Sequence, residues 1–435
     1  MKLTPLEKDP SPYPRFDRLL FYVSAAVLAC ALPFILRQFR PNVPFLGERG
    51  RVLVFTQWWQ DEWGADVLPS LIREFEEQNP GVRVTLDTRP YHEIRRLLLE
   101  QEERPGPAAA RSDILGLDPR WIPALIERDM LEPAEEAPEQ DGEFGTAENG
   151  ASPAASEVWP IVSWLLPLFY RIDLLQEAGF DRPPKTHAEF TAAARALANQ
   201  PQGRYGFALS LSPEDPLGVY RDILPWFRSV GAACLRDGRP AFTEPPVATT
   251  LSFLNDLFQE GLLAPETFGK TNKDRIEDFS AGRLAMMIAP AGEIRNLRAA
   301  GVPFGVTALP GNPSYIGKPA AGRIGWYAGI PRSGKNKDEA RAFLSFLVEK
   351  SEDIAVKTGM ASETGANPAG EENALYLKIN EIYAAADTTE AYLSLPAETA
   401  LETILSEELR RMFEGGRTPD ETALAVQQRW EAALE

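Results

Sequence analysis

The chain has 435 residues, which at roughly 150 per domain suits two or three compact units, and its 44% hydrophobic, 25% charged and 10% aromatic composition excludes a wholly disordered chain or a polytopic membrane protein. With 45 Lys and Arg against 63 Asp and Glu the formal net charge is -18, whereas a phosphate-backbone binder needs a net basic face, so nucleic acid is not an expected partner. Cys30 and Cys234 outline no disulfide framework, and neither His92 nor His187 has a partner at metal spacing: Arg96 stands where the second histidine of a zinc helix would be. No metal and no cofactor are therefore expected. A Gly-x-Ser-x-Gly elbow is absent too, which leaves hydrolase chemistry only the paired-carboxylate route, for which sequence has no spacing to read.

In chain order, residues 19–36 (LLFYVSAAVLACALPFIL) come first, uncharged over about 27 Å of helix, the lower limit for spanning a bilayer. Arg15 and Arg18 before the run balance Arg37 and Arg40 after it, so basic residues set no orientation. The run reads as an uncleaved anchor, as a lipoprotein signal that leaves a lipidated Cys30 after Val27-Leu28-Ala29, as a cleaved signal peptide, or as a buried core helix. In each membrane reading residues 1–50 are anchor or signal plus linker, and the remainder is a body beside a membrane.

Residues 51–55 (RVLVF) suit a strand buried on both faces, and Val67, Leu68, Leu71, Ile72 and Phe75 follow at helical spacing until Asn79-Pro80-Gly81. Val82, Val84 and Leu86 alternate as a strand, Ile94, Leu97 and Leu98 form a helical stripe, and residues 113–117 (DILGL) read as a third strand. This βαβαβ order implies parallel strands joined by helices. Residues 133–157, rich in Ala, Glu, Pro, Gly and Ser, read as a mobile surface insertion that carries no chemistry. Thr186-His187-Ala188-Glu189 then has capping-box spacing ahead of Phe190, Ala193, Ala194 and Leu197. Residues 205–211 read as a strand, Leu251 to Leu262 as a helix, 284–288 (LAMMI) as a buried strand, Ala340 to Leu347 as a helix, and 401–434 as helical with a break at Gly415-Gly416.

Several of these segments occur in the order found in a known family. LVFTQWW with LPSLIREFEEQNPGVRV, SDILGLDPRWIPALIERDMLEP, VWPIVSWLLPLFYRIDLLQEAGFDRPPKTHAEF, FSAGRLAMMIAPAGEI and GRIGWYAGIPRSGKNKDEARAFLSFL together resemble the extracellular solute-binding proteins of bacterial ABC importers, in the branch that includes maltose-binding protein. His187 stands where that family usually has Trp, and Ala291-Gly292 where another often follows the return strand. The resemblance implies an α/β fold of two lobes around a cleft, no enzyme activity, a solute that is a sugar, permease subunits in the membrane as partners, a monomer, and a place on the periplasmic or extracellular face of the cytoplasmic membrane. It further implies one lobe from residues 51–162 plus 284–322 and another from 163–283 plus 323–435. The competing readings are a membrane-anchored glycan hydrolase and a solute sensor or adhesin on the same fold.

Sugars present hydroxyls and apolar faces, so their sites pair flat rings with carboxylate, amide or guanidinium groups. The chain has 9 Trp. Trp58, Trp59 and Asp61 follow the first strand, with one of the two rings expected in the core. Asp118, with Arg120 and Trp121, follows the third strand; Asp118 reads as a ligand contact or as a helix cap before Pro119, and Trp121 as a ligand contact. Trp164 reads as ligand-facing or as interlobe packing. Tyr220 shares a helical stripe with Ile223, Trp226 and Phe227; Trp226 belongs to the core, while Tyr220, nearer the start of the stripe, reads as a ligand contact. Trp326 lies where glycines let a returning strand approach the cleft and reads as a ligand contact or as core, and Arg323 beside it reads as a fork for a hydroxyl pair or carboxylate. GIPRSGKN (329–336) is not a phosphate loop, because Asn336 replaces the metal-binding hydroxyl and Pro331 removes an amide; Asn336 reads instead as a helix cap.

Overall fold

The first apolar run becomes strand β1 (Arg51–Gln57), whose Leu53 and Phe55 are fully buried. The structure, a computed structural model, describes residues 50–99, 111–133, 158–213, 215, 217–236, 238–314, 319–358, 374–386 and 397–434. The candidate membrane run 19–36 with Cys30, and the insertion from 134 to 157, lie outside these residues; among the described ones no helix is long and apolar enough to cross a membrane.

Helix α1 (Val67–Gln78) buries the five apolar residues of its predicted stripe and stops where Asn79 turns its side-chain amide back to the Phe75 carbonyl at 2.9 Å. Strand β2 (Val82–Thr88) and, after helix α2 (Tyr91–Leu99), strand β3 (Ile114–Leu117) flank β1 in parallel register. The βαβαβ order thus forms as its periodicities require. Strands β4 (Trp159–Leu166) and β11 (Gly322–Gly329) complete this sheet antiparallel, in the order β2-β1-β3-β11-β4.

The chain leaves the first sheet at Pro167 and enters a second sheet as β5 (Leu168–Arg171). That sheet runs β10 (Phe304–Thr307), β5, β9 (Leu284–Ile288), β6 (Tyr205–Phe207). Residues 284–322, expected with the first lobe, therefore supply two strands of the second sheet, and the chain returns to the first only at β11. LAMMI is buried along its whole length, so its composition does not say which sheet it joins.

Helix α3 (His187–Leu197) packs on β6, and a Cβ at Gly206 would lie 2.5 Å from the Ala194 Cα, which is why a glycine stands there. The strand predicted over 205–211 stops at Phe207, and the chain continues as buried irregular backbone, its Leu211 amide donating to the Thr267 carbonyl at 2.7 Å. The stripe around Tyr220 forms two short helices, α4 (Gly218–Asp222) and α5 (Leu224–Arg228), divided at Ile223 with Pro225 in the first turn of the second. A hairpin of β7 (Leu235–Arg236) and β8 (Arg239–Pro240) precedes α6 (Pro245–Gln259) and α7 (Asn272–Ser280). Beyond β11, α8 (Lys337–Glu349) packs on β4 in the first body. Helices α9 (Ala374–Ala385), α10 (Glu398–Phe413) and α11 (Pro419–Leu434) follow; α9 covers β10, and α10 and α11 pack on each other and on α6, with α10 also against α4. The second half of the carboxyl region thus belongs to the second body and its break falls at Gly415-Gly416, as the sequence indicates.

Trp226 is core, with Phe190, Phe207 and Phe253 around it at ring distances of 5.0, 5.8 and 5.1 Å. His187 joins this cluster, stacked on Phe253 at 4.1 Å. Burial pushes its imidazole down to about 4 from 6.5. Folding therefore holds a neutral imidazole, and its stabilising contribution, complete above pH 6.5, is lost as pH falls toward 4. Thermal melts are expected to show a shallower acid decline in His187→Phe than in the wild type; equal slopes would refute the assignment.

Candidate functional site

A cavity of about 890 Å³ lies where the two bodies face each other. Its first-body wall is α2 and the 3-10 turn Pro119–Trp121, which bring Tyr91, Arg95 and the largely buried Trp121 to the cavity lining. Its second-body wall is the irregular stretch after β6, with Ser212 and Asp215, and the exposed face of α10, with Thr403 and Glu402. Rings, hydroxyls, guanidinium groups and carboxylates thus line one space, the mixture that a polyhydroxylated ligand requires.

Behind Trp121 the rings continue inward. Trp58, at the end of β1, lies 5.3 Å from Trp121, 5.2 Å from Tyr91 and 5.0 Å from Trp326, and Trp326 lies 5.0 Å from Trp164. Mostly edge-to-face contacts hold these rings in fixed planes, so the ring at the cavity wall is backed by a rigid stack. Trp121 and Tyr91 meet at 4.8 Å.

A charged cluster fills the angle between the bodies. Asp118 caps the 3-10 turn by accepting the Arg120 amide at 2.9 Å, and its two oxygens also accept Arg120 Nε at 2.8 Å and Nη2 at 2.6 Å. The Tyr91 hydroxyl donates to Asp118 at 2.9 Å and accepts from Arg120 Nη2 at 2.7 Å. Arg120 then reaches the second body: Nη1 donates to Glu402 at 3.0 Å and the guanidinium lies 4.8 Å from the Tyr220 ring centre. Burial works against the Arg120 charge, but Asp118, Tyr91 and Glu402 outweigh it and hold its pKa well above the usual value. Burial pushes Glu402 up to about 7, against the pull of Arg120 and with the push of Asp118.

The far wall rests on a second buried network. Arg221, on α4, donates to both oxygens of Asp215 at 3.0 and 2.7 Å and to Asp222 at 3.0 Å, while Arg275 on α7 bonds the other Asp222 oxygen. Asp222 accepts the Ser210 amide and Asp215 the Asn272 amide, each at 2.8 Å. Backbone that would otherwise be loose at the cavity is thereby fixed by four charged side chains with complementary signs.

Of the predicted residues whose side chains are described, Trp121 lines the cavity. Asp118 is a cap that also grips Arg120, and with no exposed surface it supports the wall rather than forming it. Trp58, Trp326 and Trp164 are buried and reach the cavity only through Trp121 and Tyr91. Trp59 is the core member of its pair, packed on Phe55 at 5.3 Å and Trp63 at 4.9 Å. Tyr220 is buried under the Arg120 guanidinium, and Arg323 is buried within β11. Asp61 falls in the helical turn Gln60–Trp63, its side chain outside what is described. Asn336 holds the N-cap position of α8 but forms no cap: its amide donates to the Val52 carbonyl at 3.1 Å and to Asp113. The sequence reading did not single out Tyr91, Arg95, Asp215 or Glu402. Glu402 lies 282 residues from Arg120, and no local pattern joins them. Among the described residues no group of three or more His, Cys, Asp or Glu is placed to hold a metal ion.

A family model described as bacterial extracellular solute-binding protein matches residues 55–353. A Brucella abortus protein named as a binding protein is 25% identical over 288 residues, 64% of this chain and 67% of the relative. A Deinococcus radiodurans protein named as an ABC transporter-binding protein is 28% identical over 282 residues, 61% of this chain and 65% of the relative. Among solved structures, maltose-bound MalE3 of T. maritima superposes with a TM-score of 0.70 at 18% identity, over 88% of this chain and 99% of that one. The GacH receptor of Streptomyces glaucescens, solved free and with acarbose, gives 0.70 at 20% identity, over 89% and 99%. At these identities the structures establish the two-lobed fold.

Proposed function

The chain belongs to the bacterial extracellular solute-binding protein family, and from that premise we propose that it captures a carbohydrate between its two lobes and delivers it to the permease of an ABC importer. The observation that carries this reading is the cavity between the bodies, where the Tyr91 and Trp121 rings and the polar side chains of Ser212, Thr403 and Arg95 line one space. The names of structural neighbours with maltose and acarbose support the same ligand class. Capture rests on contact with both walls: a ligand that touches each lobe favours the closed arrangement by the free energy of the second set of contacts. No bond in the ligand is made or broken. The protein acts as a monomer, held at the outer face of the cytoplasmic membrane by residues 19–36; a chain lacking them is expected to leave the membrane fraction, and retention there would refute the tether.

Thermal melts against neutral oligosaccharides, polyols and uronate-bearing glycans test the ligand class. A ligand at 100 times its dissociation constant is expected to add about 2.7 kcal/mol of stability. Absence of any shift across the panel would remove the carbohydrate reading, and shortened glycans after incubation would replace it with hydrolysis.

A further inference from the structure

The cluster between the bodies holds two carboxylates and one guanidinium. Asp118 takes the Nε and Nη2 edge of the Arg120 fork, and Glu402 is left a single bond from Nη1. With both acids ionised, a buried group of three carries one negative charge in excess. We propose that Glu402 is a positioning residue that takes up a proton when the lobes close, so that closure, and with it ligand capture, is coupled to acidity. This rests on the two-lobed capture reading above and goes beyond it.

Contacts from every side bear on Glu402. From the first body, Arg120 attracts its charge directly and Arg95 at longer range, Asp118 repels it, Tyr91 presents a hydroxyl already engaged with Asp118 and Arg120, and His92 stands on the same wall. From the second body, Asp215 faces the cavity but is held by Arg221, and Tyr220 lies under the guanidinium. On α10 itself, Glu407 pairs with Arg429, and Arg410 lies over the Phe268 ring at 4.3 Å. The Glu402 side chain keeps 18% of its surface, at the cavity. Two cations of the first body therefore do not offset both the neighbouring Asp118 and the loss of water, and burial pushes the Glu402 carboxyl up to about 7.

Arg120 and Glu402 sit on different lobes, so opening separates them and returns Glu402 to water, where its carboxyl titrates near its ordinary value of 4.5. A group that holds its proton more tightly when closed favours closure as pH falls. The closed-to-open ratio then rises by up to about tenfold for each pH unit lost between the two values. Glu402→Gln keeps an acceptor for Arg120 and removes the charge, which mimics the protonated state at every pH.

The test uses the full chain without ligand, with Cys30→Ser and spin labels at Glu77→Cys on α1 and Ala196→Cys on α3, both exposed positions on opposite lobes. Pulsed dipolar spectroscopy is expected to show the short interlobe distance gaining population from pH 8 to pH 5.5. In Glu402→Gln that distance is expected to dominate at both pH values. A wild-type distribution unchanged by pH, or a Glu402→Gln chain that keeps the wild-type slope, overturns the proposal. Since no ligand is present, either outcome is independent of the glycan panel, whose failure would leave the proton coupling standing.

Discussion

Arg221→Ala is expected to lower the unfolding free energy by about 3–5 kcal/mol, the cost of removing one partner from a buried ion pair. The side chain is 1% exposed and holds Asp215 and Asp222, which have almost no exposed surface of their own. Without it, Asp215 keeps the amides of Asn272 and Leu217 and only the attraction of Arg275, which stays hydrogen-bonded to Asp222. Burial opposes ionisation of Asp215, and Arg221 is what holds its pKa below the ordinary value. The variant is therefore expected to lose least at acid pH, where the stranded carboxylate takes a proton. Chemical denaturation at pH 7.5 and 5 checks both statements. The exposed pair Arg195 with Glu260 provides the contrast: water already screens it, and Arg195→Ala is expected to leave stability within experimental error. Equal losses in the two variants would mean that the network does not hold the cavity wall.

Trp121→Ala is expected to weaken ligand binding by about 2 kcal/mol or more, roughly thirtyfold, since a ring clamped against Tyr91 and Trp58 meets ligand without further loss of freedom. It is also expected to cost about 3–5 kcal/mol of stability, because the ring is nearly all buried. Trp63→Ala separates the two effects. That ring is fully buried against Trp59 and does not line the cavity, so its loss is expected to cost comparable stability with no change in affinity. Calorimetric titration of both variants with the glycan selected by melting decides the matter; the same affinity loss in each would show that Trp121 acts through the fold alone.

The existence of elements was legible from sequence: the one-sided stripe of α1, the alternation of β2 and the continuous apolar LAMMI run all formed where the pattern placed them. Sheet membership was not legible. Strands buried on both faces read alike whichever sheet they join, and the partners of β9 and β11 are chosen by the path of the chain between lobes. The candidate site divided in the same way. Trp121 follows a strand end and Asp118 precedes a proline, both local signals, whereas Trp164 and Trp326 lie inside β4 and β11 and are buried beneath other rings. Glu402 was invisible because its meaning comes from Arg120, brought to it by the packing of α10 on the second body. Sequence patterns report which face of an element is dry; they do not report which two dry faces will share a cavity.

Small-angle X-ray scattering of the full chain with and without its selected glycan, followed by recovery of that glycan, tests the account most directly. Capture between two closing lobes predicts a smaller radius of gyration on binding and a glycan recovered intact. A bound glycan that leaves the radius unchanged, or one recovered in shorter pieces, would contradict it.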